Sequence, residues 1–98
     1  MEKIISYIGF AIKSNKVVVG QTSLKNCKQK ICLIIVENNN ENLINLAKNL
    51  AKKHNCELLV SKLPLSKLTN KIDIKIIGLT DENLSNAIIK NKEKIDIG

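Results

Sequence analysis

The apolar positions of this chain change period several times, and each change predicts an element. Ile4, Ile5, Ile8, Ala11 and Ile12 recur three and four apart, which is one face of a helix from about Glu2 to Ser14. Gly9 weakens that helix and is read as a point of close packing. Asn15 suits a left-handed cap at the helix end. Val17-Val18-Val19 is a short buried strand, and Gly20 ends it. Thr22 or Ser23 is then read as the cap of a second, short helix that fades near Gln29. Ile31 to Val36 is apolar without alternation, the signature of a central strand covered on both faces. Glu37-Asn38-Asn39-Asn40 forms its polar exit, and Asn39 or Asn40 caps a helix of about Glu41 to Asn55. That helix turns Leu43, Leu46, Ala47, Leu50, Ala51 and His54 inward. Glu57 to Val60 is the next strand. Ile72, Ile74, Ile76 and Ile77 with Gly78 and Leu79 form the last one. Thr80 is read as the cap of a final helix, with Asp81 and Glu82 in its first turn. Helices alternating with β-rich runs predict an α/β fold: a three-layer α/β/α sandwich around a four-stranded mixed, mostly parallel sheet, in a single domain over residues 1–98.

Charge adds a partner class to this outline. The formal net charge is +7, and a basic surplus points to nucleic acid or an anionic membrane. All 16 basic residues are lysine. Lysine, asparagine and isoleucine are the residues an AT-rich genome favours, so part of the charge reflects composition. Without arginine there is no guanidinium fork for bidentate guanine readout, and contact with phosphate and shape is expected instead. Cys27, Cys32 and Cys56 form no CxxC pair, and only His54 could join them as a ligand. They are read as buried free thiols of a reducing compartment. No secretory leader is legible and no apolar run approaches the roughly 20 residues of a membrane span, so a cytosolic protein is expected. With one histidine and no nucleophile, phosphate-loop or dinucleotide motif, a binding module is expected rather than an enzyme, with no cofactor and no metal.

Three segments are candidates for contact. In Gly20–Lys28, a glycine and a helix start offer free N–H groups, and Lys25 and Lys28, three apart, share one helical face. The alternative is a strand–turn–helix joint with solvated lysines. Glu37–Asn40 follows the central strand, at the edge where ligands gather in open α/β sheets. Leu63-Pro64-Leu65 follows the next strand. Its leucines either pack on the sheet from a short helix of about Pro64 to Leu68, or they contact a partner such as an unstacked base. If the two strands are parallel, both exits lie at one end of the sheet. Lysines for phosphate, asparagines for base edges and leucines for a splayed base suit RNA.

The run Ile8-Gly9-Phe10-Ala11-Ile12-Lys13-Ser14-Asn15-Lys16-Val17-Val18-Val19-Gly20 resembles the opening of the bacterial YlxQ-like branch of the ribosomal protein L-seven-Ae / L-thirty-e superfamily. Leu33–Val36 with its exit at Glu37, and Ile76-Ile77-Gly78-Leu79-Thr80-Asp81-Glu82-Asn83-Leu84, resemble later parts of the same pattern. The resemblance implies the α/β/α sandwich and the binding of structured RNA, often the sharply bent kink-turn, with ribosomal RNA and translation-related proteins as partners. Residue by residue it implies RNA contacts at Gly20, Gln21, Thr22, Lys25, Glu37, Asn38, Leu63, Pro64 and Leu65. Lys28 joins them on the charge argument above. The chain departs from the better-known pattern at Thr22, where asparagine is usual, and in the five-residue step from Gly20 to Lys25, where six is usual. The alternative function is a protein-interaction or dimerisation module that keeps the fold without RNA binding.

Overall fold

A computed structural model describes residues 2–38, 41–61, 65 and 74–90. Helix α1 spans Glu2–Lys13 and ends as predicted on Asn15, whose φ of 60° lies in the left-handed region. The Lys16 N–H donates to the Ala11 carbonyl at 2.7 Å and the Asn15 N–H to Ile12 at 3.1 Å, so the last helical carbonyls are satisfied. Strand β1 (Val17–Val19), helix α2 (Gln21–Lys25), strand β2 (Leu33–Glu37), helix α3 (Glu41–His54), strands β3 (Glu57–Ser61) and β4 (Ile76–Leu79) and helix α4 (Glu82–Lys90) follow in order. α3 closes in the same way as α1: Asn55 has φ 53°, and the Cys56 N–H reaches the Ala51 carbonyl at 3.0 Å.

The sheet is mixed and four-stranded, in the order β1-β4-β2-β3. β2 is central, as its unbroken apolar run requires. The expectation of a mostly parallel sheet needs correction. Only β2 and β3 pair in parallel, while β4 runs antiparallel to both β1 and β2. β4 enters between strands that themselves point the same way, so it reverses two of the three pairings. The ends of β1, β2 and β3 therefore meet the start of β4 at one end of the sheet.

Alternation along the strands sorts the core into two clusters. Leu33, Ile35, Leu59, Ile77 and Leu79 pack with Ile8 and Ala11 of α1 and Ile88 of α4. Ile34, Val36 and Ile76 pack with Leu24 of α2 and Ala47, Leu50 and Ala51 of α3. Gly78 in β4 belongs to the second side: a Cβ there would collide with Leu24 Cδ2 and lie 3.2 Å from Ile31 Cγ2. Gly9 is different. A Cβ on it would meet nothing within 4 Å, so the close packing expected there is absent. Phe10, on α1, is 60% exposed.

Two caps also differ from expectation. Thr80 does not cap α4; the Asp81 carboxylate accepts the Leu84 N–H at 2.9 Å, three residues on, and Thr80 instead donates its N–H to the Lys16 carbonyl at 2.9 Å. α2 begins after Gly20 with no side-chain cap, so Thr22 and Ser23 lie inside its first turn. The predicted Asn39 or Asn40 cap, and the Pro64–Leu68 helix apart from Leu65, lie outside the described residues.

Candidate nucleic-acid interface

Gly20 has φ 89° and ψ 154°, a region open in practice only to glycine. Its N–H donates to the Ile76 carbonyl at 3.1 Å, which fixes the end of β1 against the start of β4. A Cβ at this position would meet nothing within 4 Å. Gly20→Ala should therefore cost about 1–3 kcal/mol through backbone conformation alone, read by chemical denaturation. A loss near zero would show that the turn relaxes freely.

Gly20 delivers the chain into α2, which has only five residues. A helix this short does not persist by itself. Leu24 anchors it, fully buried under β4. Its carboxyl end is tied to α3: His54 Nε2 donates to the Leu24 carbonyl at 2.8 Å, and Lys53 Nζ donates to the Lys25 carbonyl at 2.6 Å. These two donors are the site residues that sequence reasoning missed. His54 was legible only as a polar residue near a helix end, and its partner is 30 positions away. Between α2 and α3 lies an open hollow of about 240 Å³ lined by Gln21, Thr22, Lys25, Leu46 and Leu50.

Lys28 does not share a helical face with Lys25. α2 ends at Lys25, and Lys28 follows in non-helical chain, exposed. The helix stops early because its last carbonyls are already bonded by α3 and the chain must turn toward Ile31, which is fully buried.

Glu37 ends β2 directly opposite Ser61, the end of β3. Its N–H donates to the Lys75 carbonyl at 2.8 Å, and the Asn38 N–H donates to the Ser61 carbonyl at 2.8 Å. The Glu37 carboxylate accepts the Leu65 N–H at 2.8 Å. The parallel register thus brings the exits of β2 and β3 together, and a carboxylate ties them. Asn38 remains exposed. Leu65 is corrected: its side chain is 0% exposed, inside the cluster with Ile8 and Leu33, so it cannot cover a nucleotide. An isobutyl group beside an apolar sheet face gains more from burial than from a wet partner surface. Leu63 and Pro64 lie outside the described residues.

At the opposite end of the sheet a second hollow, of about 320 Å³, gathers Cys32, Cys56, Glu57 and Glu82. The cysteines are free and half-buried rather than fully buried. Burial, then the neighbouring Cys32 and Glu57, pushes the Cys56 thiol up from 9.0 to about 11. Cys56 should therefore resist alkylation at neutral pH and become reactive only as the pH approaches about 11. Because the folded value is the higher one, its stabilising contribution is complete below pH 9.0 and is lost as the pH rises toward about 11. Rapid labelling of Cys56 at neutral pH would contradict this. Among the described residues no group of three or more His, Cys, Asp or Glu side chains could hold a metal ion, and no helix is long and apolar enough to cross a membrane.

No protein-family model matches the chain, and no curated protein matches it in sequence. Among solved structures the fold is similar to that of a protein of unknown function from Bacillus halodurans, with a TM-score of 0.77 and 15% identity over 93% of this chain and 97% of that one. At that identity the likeness shows the fold alone.

Proposed function

We propose that the protein is a non-catalytic, cytosolic RNA-binding module, ribosome-associated, that holds a bent or bulged RNA through phosphate and shape contacts, as its resemblance to the L-seven-Ae / L-thirty-e superfamily implies. The observation that carries this reading is the convergence of Gly20, Glu37 and Leu65 on one end of the sheet, tied by Gly20 N–H to Ile76 and by Glu37 to Leu65. Segments far apart in sequence form one edge there. Gln21, Thr22 and Lys25 continue it along a hollow open to a ligand. In this arrangement Lys25 and Lys28 meet phosphate, Asn38 offers an amide to a base edge, and Gln21 and Thr22 dock at the bulge. Glu37 acts as a positioning residue, since its carboxylate is engaged by the Leu65 N–H.

Crosslinking in the native cell followed by sequencing of the bound RNA tests the reading. Enrichment of a few structured sites is the expected result. On a recovered site, Lys25→Gln with Lys28→Gln should lower the slope of log affinity against log salt by about 1.4–1.8, since each lost phosphate contact removes roughly 0.7–0.9. Diffuse background, equal for the wild type and the double variant, would overturn it and leave the interaction-module alternative.

A further inference from the structure

Among the described residues, five exposed lysines stand together away from the loop end of the sheet. Lys75 stands at the loop end, its carbonyl accepting the Glu37 N–H. Lys25, Lys28, Lys48, Lys52 and Lys53, all exposed, lie on the side covered by α2 and α3. α3 divides this surface. Its Leu46 and Leu50 flank closes the hollow over Gln21, Thr22 and Lys25. Its other flank, Asn45, Lys48, Asn49 and Lys52, lines a larger open groove of about 530 Å³ whose floor includes Leu58 of the edge strand β3. These four residues are spaced three and four apart, so they form one stripe.

We propose that this stripe is a second phosphate-binding track, on which a strand of the RNA continues from the α2 hollow across α3 and contacts Lys48 and Lys52. The inference rests on the RNA-binding reading above and extends it to a surface the family resemblance does not mark. Composition selects the occupant. The exposed residues of α3 are Glu41, Asn42, Asn45, Lys48, Asn49, Lys52 and Lys53, with no apolar side chain among them. Centres of protein–protein interfaces are depleted in lysine and built on aromatic and apolar anchors. Nucleic-acid interfaces are polar and strongly positive. The acids nearest in sequence stand aside: Glu41 is in the first turn of α3, and Glu57 lines the hollow at the far end of the sheet. Lys48 and Lys52 are one turn apart, about 6 Å along the axis, and their ammonium groups meet phosphate as point charges without a demand on base sequence. The asparagines between them supply donors and acceptors to sugar and phosphate oxygens.

The test uses the full chain and a fluorescent RNA hairpin carrying an asymmetric internal bulge, with anisotropy read from about 50 to 200 mM salt. Lys48→Gln with Lys52→Gln should lower the salt slope by about 1.4–1.8 and weaken binding most at low salt. Both positions are exposed, so the variant should unfold at the wild-type denaturant midpoint, which checks that the fold is intact. RNA binding with an unchanged slope in this variant, while Lys25→Gln with Lys28→Gln lowers it, overturns the α3 track alone. Absence of wild-type binding to the hairpin, and of any enriched RNA in the cell, overturns the RNA reading together with the track. Competition by polyglutamate as effective as by RNA of equal charge would assign the stripe to acidic protein segments instead, and would also overturn it.

Discussion

Leu24→Ala should lower the unfolding free energy by about 2–5 kcal/mol, the range for emptying a fully buried leucine site. Leu24 is the only buried residue of α2, and without it the helix loses its apolar anchor and keeps only the bonds from His54 and Lys53 to its last carbonyls. Gly78→Ala should also destabilise, by about 1–3 kcal/mol, because the new methyl would occupy the space of Leu24 Cδ2 and press on Ile31. The two sites share one volume, so their effects should not add. The double variant should be more stable than the sum predicts by at least about 0.5 kcal/mol, as coupling between contacting residues typically runs about 0.5–3. Urea unfolding of the wild type, both single variants and the double variant completes the cycle. Strict additivity would show that the Leu24 side chain does not rest on Gly78. The functional consequence follows from position. Gln21, Thr22 and Lys25 are held in place by Leu24, so under the RNA reading Leu24→Ala should weaken binding of a bulged hairpin even at temperatures where the domain stays folded.

Glu37→Ala should cost about 1.5–3 kcal/mol, the usual worth of a hydrogen bond to a charged group. The substitution removes the acceptor of the Leu65 N–H while leaving the Glu37 backbone pairing to Lys75 intact. Hydrogen exchange at the Leu65 amide should accelerate, which separates a local loosening from a global one. Glu37→Gln keeps an acceptor and should lose less. Equal unfolding midpoints for Glu37→Ala and the wild type would mean that the carboxylate does not hold the two strand exits together. Under the RNA reading the same variant should bind a bulged hairpin more weakly, because Leu65 is freed from the end of β2 beside Asn38.

Much of the element order was legible because the determinants are local. A period of three and four residues, a glycine after three valines and an asparagine after a helix each act through their immediate neighbours. The central position of β2 was also legible, since an apolar run of this length needs cover on both faces. The caps of α2 and α4 were misread for a related reason. Thr22, Thr80 and Asp81 are all competent caps, and sequence ranks them only by type, whereas the choice depends on where the chain leaves the strand. Thr80 leaves β4 already bonded to Lys16, 64 positions earlier, and Asp81 is the residue left to turn its carboxylate to the helix.

The candidate site divides along the same line. By itself the sequence determined that a glycine stands at the turn after β1, that one strand exit is polar and the other apolar, and that any cationic contact with a phosphate would come from lysine. Only the tertiary structure decided which of these segments meet. The parallel register of β2 and β3 places Glu37 beside Ser61 and lets Glu37 reach Leu65, and that same packing draws the Leu65 side chain out of reach of any ligand. The grouping of Lys25, Lys28, Lys48, Lys52 and Lys53 on the α2 and α3 side was decided there too. A net charge carries no direction until helices are laid against the sheet. Contacts between residues 28 or 30 positions apart, such as Lys53 to Lys25 and His54 to Leu24, leave no trace in local period or propensity. They arise from the apolar faces that bring the helices together, and the polar bonds at the helix ends follow from that placement.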